Sequence, residues 1–137
     1  MITQKDKDIE LGLNSEIKIK GILSSFLGVK LEKLDYFNAF DFIGDNVVVE
    51  LKTRRNKKNA YPTTLVGANK IKEGEKYIIN GIRVFYMFRF TDGIYFIEQT
   101  KESTAFNDIK DFTRVRDLKS ETRSYCYIPI NKLLPIN

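Results

Sequence analysis

The chain has 137 residues, of which 42% are hydrophobic, and we expect a single globular domain spanning residues 1–137. It contains no histidine and a single cysteine, which excludes histidine-dependent nucleophilic catalysis, an internal disulfide and a structural zinc site, so any metal would need oxygen ligands. Lys and Arg number 23 against 18 Asp and Glu, a modest net charge of +5.

The N-terminal segment MITQKDKDIE is too polar for a secretory signal. No apolar run approaches the roughly 18 residues needed to span a bilayer. We therefore expect a cytoplasmic protein, or a nuclear one if the host is eukaryotic. Cys126, flanked by Tyr125 and Tyr127, is expected to occupy a half-buried strand position and not a reactive site.

The first predicted element is a helix over residues 14–27, with Asn14 or Ser15 as its N-cap and Gly28 as its C-cap. At about 100° per residue, Glu16 shares a face with the apolar residues of this helix. Glu16 is therefore expected to point toward the core in the first helical turn.

Strands dominate the rest of the chain. Residues 29–35 are expected to form a first strand, and residues 39–43 and 47–52 to pair as a hairpin around the turn Gly44-Asp45. The stretch 108–123 has no assignment and could be a loop, a helix or a dimer contact. The remaining predicted elements are a helix over 69–79, strands over 83–90, 93–98 and 124–130, and a short turn over 131–134. This order predicts an α/β or α+β protein.

Charged residues interrupt the apolar hairpin. Along its second strand Glu50 and Lys52 point to one face, and a turn of two residues places Asp41 on that same face. With Gly44-Asp45 as the turn, Asp41 would pair with Val48 and lie diagonally from Glu50, roughly 7–8 Å away. Two carboxylates at that separation can share Mg²⁺. The alternative is a set of solvated residues, with Lys52 as a surface ion-pair partner.

A basic run continues from the hairpin: Lys52, Arg54, Arg55, Lys57 and Lys58. Such a run is often a solvated loop. Next to residues that could hold a metal, it becomes a candidate for binding the phosphates of DNA.

Asp41, the pair Glu50-x-Lys52 and a preceding acidic helix resemble the PD-(D/E)XK nuclease superfamily. The segment Gly12–Glu16 resembles the G-x-x-x-E element that many members carry in the first helix, whereas Phe40 stands where the motif's name has proline. The resemblance implies a restriction-endonuclease-like core, in which a central mixed β-sheet is flanked by helices in the order α-β-β-β-α-β-β. The run YPTT, followed by a short spacer and NK, also resembles small nuclease-like proteins of viruses and phages, or of mobile elements.

The resemblance also implies roles for individual residues. Asp41, Glu50 and the Leu51 carbonyl would bind the metal, Glu16 would add a carboxylate directly or through water, and Lys52 would be the catalytic lysine. Mg²⁺ is the expected cofactor, with Mn²⁺ as a substitute.

Polar residues follow the basic run. In this superfamily the second helix often brings a polar residue beside the active site, which makes Lys70 a candidate phosphate contact. Thr63 and Thr64 are candidates too, although turn and cap chemistry would equally explain them.

Two functions are therefore expected. The first is a Mg²⁺-dependent endodeoxyribonuclease that selects DNA by shape, as junction resolvases do, or by sequence, as restriction and homing enzymes do. A homodimer would be an economical way to make paired cuts. The alternative is a catalytically inactive module of the same fold that binds nucleic acid or a protein partner.

Overall fold

Two helices each precede a run of strands in a computed structural model that describes the backbone of residues 4–136 and the side chains of residues 16–136. Residues 1–3 and 137 lie outside the described residues. The expectation of a single domain over residues 1–137 stays a prediction. The elements are α1 (Gln4–Leu27), β1 (Glu32–Lys33), β2 (Phe42–Gly44), β3 (Val47–Thr53), β4 (Thr63–Gly67), α2 (Ala68–Ile79), β5 (Arg83–Phe90), β6 (Gly93–Gln99), β7 (Ile109–Arg116), β8 (Lys119–Pro129) and β9 (Leu134–Pro135).

The strands form two sheets. The larger has the order β1-β2-β3-β5-β6-β9, and its β3–β5 pair is parallel while the other pairs are antiparallel. The parallel pair needs a crossover, which β4 and α2 supply. This confirms the predicted mixed sheet with helices in an α/β (α+β) fold. The smaller sheet, β4-β8-β7, was not predicted, because the sequence pattern indicated no strand in the region of β4 or β7.

The first helix is longer than predicted. It begins at Gln4, so Asn14 and Ser15 lie inside it and neither is its N-cap. Residues preferred at caps are tolerated within a helix, which is why local sequence misplaced this end. The C-terminal end at Leu27 is as predicted, since Gly28 adopts φ +71° and its N–H bonds the Ser24 carbonyl at 2.9 Å. No helix within residues 4–136 is long and apolar enough to cross a membrane.

The large sheet is covered on both faces. Val47 and Val49 of β3 pack with Ile19 of α1 in one buried cluster. Val48, between them, packs with Ile71 of α2 and with residues of β8 in a second cluster. Alternate residues of β3 therefore face different layers, with α1 on one side and α2 with the small sheet on the other.

The unassigned stretch 108–123 contributes most of a β-hairpin. Strands β7 and β8 join through Asp117 and Leu118, both with positive φ (50° and 66°). All side chains from residue 107 to 124 are exposed, so the segment lacks the alternation of buried residues that identifies a strand. Farther along β8, Cys126 is fully buried, and burial raises the pKa of its thiol to about 11, in agreement with the prediction of an unreactive strand position.

Helix α2 sits close to the sheet because Gly74 has no side chain. A Cβ there would overlap the Gln99 side-chain oxygen and lie 3.1 Å from the Tyr86 hydroxyl. These buried groups bond each other at 2.7 Å, and the Gln99 amide donates to the Ile71 carbonyl of α2 at 3.1 Å. The close approach brings the first turn of α2 over β3.

We expect Gly74→Ala to destabilise the protein by about 1–3 kcal/mol, because the added methyl overpacks a bonded interior site. In an exposed helix the same change usually stabilises by about 1 kcal/mol. Gly21→Ala in α1 is the matched control, since a Cβ there meets nothing within 4 Å. Urea unfolding should show opposite signs for the two variants, and shifts in the same direction would refute the packing argument.

Candidate active site

The β2–β3 hairpin brings two acids together. Its turn is Asp45-Asn46, one residue later than the predicted Gly44-Asp45. The turn still has two residues, so the prediction that both acids share a face holds. Continuing the observed register by one residue sets Asp41 opposite Glu50 and not Val48. The turn lies one residue later than predicted because Asn, unlike most residues, tolerates the positive φ of 62° found at position 46.

Asp41 is held at the beginning of the hairpin by β3. Its N–H donates to the Val49 carbonyl at 3.0 Å, and its Oδ2 accepts the Leu51 N–H at 2.7 Å. The chain bends here, so Phe40 and Phe42 enter different buried clusters although simple alternation puts them on one face. The predicted strand over 39–43 therefore begins only at Phe42, and Asp41 is a bend residue anchored over the next strand.

Glu50 lies between two lysines. Its side chain is buried, with only 3% of the residue exposed. Lys52 Nζ lies 3.3 Å from Oε1, and Lys70 Nζ lies 3.4 Å from Oε2. Lys70 also donates to the Ala39 carbonyl. Lys70, predicted as a phosphate contact, thus lies against the catalytic candidate itself, since the first turn of α2 lies above β3.

Opposing effects act on the charge of Glu50. Burial raises the pKa of the Glu50 carboxyl, and Asp41 raises it further, while Lys52 and Lys70 oppose the shift. Its Oε2 is buried and lacks a hydrogen-bond partner among the described residues. Buried carboxylate oxygens normally have such partners, so this atom has an unused acceptor site.

The donor set fits a hard divalent cation with an incomplete protein shell. Asp41 and Glu50 supply two carboxylates, and the described residues contain no cluster of three or more acidic, His or Cys side chains. Mg²⁺ commonly binds through one or two carboxylates and fills its other positions with water and substrate phosphate. The residues present therefore suit Mg²⁺ better than a cation that needs a complete protein cage.

The structure does not bring Glu16 to this pair. Its carboxylate is bonded by Lys33 of β1. Helix α1 packs on the sheet face that carries Val47 and Val49, the face opposite to that of Glu50. Gly12, the other end of the G-x-x-x-E segment, lies where only the backbone is described. A role for Glu16 in metal binding stays a prediction, and no described contact supports it.

Two predicted DNA contacts are occupied within the protein. Arg54 Nε donates to Thr64 Oγ1 at 3.3 Å, and its guanidinium also bonds the Leu65 carbonyl. Burial lowers the pKa of this guanidinium, and Thr64 is itself buried. Arg54 and Thr64 therefore join the end of β3 to β4, so a phosphate would have to compete with these bonds.

The other basic residues of the run remain accessible. Arg55 and Lys57 are exposed, and Lys58 Nζ lies 4.9 Å from the centre of the Tyr95 ring. Thr63 is half-buried and faces a cleft of about 710 Å³. The same cleft is lined by Lys52, which is 31% exposed, but not by Asp41 or Glu50. Lys52 thus connects the buried Glu50 to the open cleft.

The opposite wall of the cleft was not predicted. It contains Phe112 and Arg114 of β7 with Tyr125 and Tyr127 of β8. A signal was present in the sequence, because every second position of IKDFTRVR is basic or aromatic. That alternation marks one face of an exposed strand, and it carries no information on which other element the strand lies beside.

The mixed sheet between helices, with Glu50 and Lys52 two residues apart on β3, is a restriction-endonuclease-like core, the fold of PD-(D/E)XK nucleases. The family model described as "Phage putative PDDEXK endonuclease" matches residues 3–134. The chain belongs to this phage family. No curated protein and no solved structure matches it.

Proposed function

We propose that the protein is a divalent-metal-dependent endodeoxyribonuclease that hydrolyses phosphodiester bonds of DNA. The observation that carries this proposal is the buried Glu50 Oε2, which has no hydrogen-bond partner among the described residues although Asp41 and two lysines surround the carboxylate. Membership of a family of phage endonucleases supports nuclease activity.

Asp41, Glu50 and the Leu51 carbonyl would hold the cation, for which Mg²⁺ is the expected choice and Mn²⁺ a substitute. When bound, such a cation polarises the scissile phosphate and lowers the pKa of a coordinated water. Lys52 is placed to stabilise negative charge on the phosphate, because its ammonium both reaches Glu50 and lines the cleft. Lys70 favours the ionised form of Glu50, the form that binds a cation.

The alternative, an inactive module that binds nucleic acid or protein, explains the site less well. Burying the Glu50 carboxylate beside Asp41 costs folding free energy that Lys52 and Lys70 offset only in part, since the pKa of Glu50 stays raised, and a bound divalent cation would offset more of it. A protein that only bound a polyanion would gain nothing from keeping two acids beside its cleft. Arg55 and Lys57 would serve such a binder without them.

The proposal predicts metal-dependent cutting of circular DNA. Supercoiled plasmid and a four-way junction are incubated with the protein in Mg²⁺, Mn²⁺ or EDTA. We expect cleavage with either metal and none in EDTA. Because circular DNA has no ends, its cleavage would show that the activity is endonucleolytic. Linear plasmid that forms without a nicked precursor would support a homodimer with paired sites.

Inertness on both substrates in either metal, with DNA binding intact, would overturn the nuclease proposal and favour the inactive module. Comparing rates on the junction and on linear duplex of the same sequence tests selection by DNA shape. Equal rates on both would argue against a resolvase-like activity.

A further inference from the structure

The β7–β8 hairpin has one strongly basic face. Residues paired across the strands share a face, and the register pairs Lys110 with Tyr125 and Phe112 with Arg123. Arg114 with Glu121, and Arg116 with Lys119, continue the same face. Its charged residues are Lys110, Arg114, Arg116, Lys119 and Arg123, with the single carboxylate Glu121. The opposite face of the paired strands carries one charge, Asp111.

Three of these cations are available for a ligand. Arg123 bonds Glu121 at 2.7 Å, and Lys110 lies against the Tyr127 ring. Arg114, Arg116 and Lys119 are exposed, and within the described residues they make no ion pair. Exposed like charges on one short hairpin repel each other, and a polyanion would relieve that repulsion.

This face continues the wall of the active-site cleft. Phe112, Arg114 and Tyr125 line the cleft that Lys52 enters. The Phe112 and Tyr125 rings lie 6.4 Å apart at 77°, and Phe112 is 45% exposed. At about 3.4 Å per residue, the two residues of β7 beyond Arg114 extend this wall by roughly 7 Å, to Arg116. A DNA strand bound at Lys52 would therefore continue along the hairpin.

We propose that the β7–β8 hairpin is a DNA-binding arm that holds the substrate against the active site. Arg114, Arg116 and Lys119 contact backbone phosphates away from the scissile bond, and Phe112 contacts a base or sugar within the cleft. The identity of the ligand as DNA rests on the proposed function. The charge of this face and its continuity with the Lys52 cleft favour DNA over an acidic protein, which would have no reason to lie beside Lys52.

The test measures binding of labelled duplex DNA without metal, as a function of salt concentration. The arm variant Arg114→Ala/Arg116→Ala/Lys119→Ala is compared with Thr113→Ala/Val115→Ala/Ser120→Ala on the opposite face of the same hairpin. Each lost phosphate contact lowers the slope of log K against log salt by about 0.9, so three should lower it by about 2.7. The opposite-face variant should keep the wild-type slope.

A second variant reports on the aromatic contact. Phe112→Ala should weaken binding several-fold without changing the salt slope, because an apolar contact with a base or sugar releases no counterions. Unchanged affinity would remove this contact from the proposal. Circular dichroism melting of all variants checks that the exposed substitutions leave the fold intact.

The outcomes separate the arm from the nuclease. A wild-type slope in the arm variant, while wild-type protein cuts DNA, overturns the arm and leaves the nuclease standing. An arm-dependent slope in a protein that never cuts DNA overturns the nuclease and keeps the arm as a nucleic-acid contact. If the wild-type protein does not bind DNA, the proposed ligand is wrong.

Discussion

Glu50→Gln is expected to lower Mg²⁺-dependent DNA cleavage by about 10³-fold, because it removes a carboxylate that would hold the metal. A catalytic metal supplies several kcal/mol of transition-state stabilisation, and about 1.4 kcal/mol corresponds to tenfold in rate. The amide has nearly the same shape, so the fold should persist. Initial rates of plasmid cleavage measure the effect. Melting temperatures with and without Mg²⁺ should show a metal-induced rise for the wild type and none for the variant.

The same variant tests the charge state of Glu50. The raised pKa means that the native state of the metal-free protein holds this proton more tightly than the unfolded chain does. This group's contribution to stability is therefore greatest below the ordinary glutamate pKa and declines as pH rises through the raised pKa. In EDTA near neutral pH, Glu50→Gln should melt at or above the wild-type temperature. A lower melting temperature would contradict this account of the burial.

Glu73→Gln is the matched control, since Glu73 lies on α2 and, among the described residues, bonds Lys76 at 2.9 Å. It should cleave DNA at the wild-type rate. Asp41→Asn should resemble Glu50→Gln in losing cleavage and the metal-induced rise in melting temperature. Near-wild-type cleavage by Glu50→Gln would contradict a metal site on the β2–β3 hairpin.

Lys52→Met is expected to slow cleavage by about 10²–10³-fold with little change in DNA affinity, because it removes a positive charge aimed at the reacting phosphate. Lys52 lines the cleft, whereas Lys70 is only 22% exposed and bonds Ala39. The metal-induced rise in melting temperature should survive in Lys52→Met. Single-turnover rates and equilibrium binding separate the two effects.

Lys70→Met is the comparison. Lys70 lowers the pKa of Glu50, so its loss should raise that pKa further and move the acidic limb of the pH–rate profile to higher pH. At the plateau of that profile the rate should fall less than in Lys52→Met. If Lys70→Met instead lowers the plateau rate more than Lys52→Met does and leaves the pH–rate profile unshifted, the two lysines have the opposite roles and Lys70 is the phosphate contact.

Local pattern was enough to find the acids. An even-numbered turn and the two-residue period of a strand put Asp41, Glu50 and Lys52 on one face, whatever the position of the turn. The turn was placed one residue early, because Gly44-Asp45 and Asp45-Asn46 are both plausible turns and only strand pairing distinguishes them. That error moved Asp41 from opposite Glu50 to a diagonal position without changing its face.

Residues distant in sequence were harder to place. The resemblance implied that Glu16 lies at the metal, and its helix face was expected to point toward the core, but the sheet has a core on each side and α1 packs on the face opposite to that of Glu50. Helix periodicity cannot distinguish one face of a sheet from the other. Arg54 was expected at DNA, yet its guanidinium bonds β4, a strand that local sequence did not predict.

The sequence by itself determined the α/β (α+β) class and the Glu50-x-Lys52 pair on one strand, since these follow from short-range periodicity, and its motif residues indicated the nuclease family by resemblance. Only the tertiary structure decided that Lys70 reaches Glu50 and that the β7–β8 hairpin forms a wall of the Lys52 cleft. The physical reason is that packing joins elements far apart in the chain. Gly74 brings α2 close to the sheet, and pairing with β4 brings β8 to the cleft that Lys52 lines, and no local pattern records either contact.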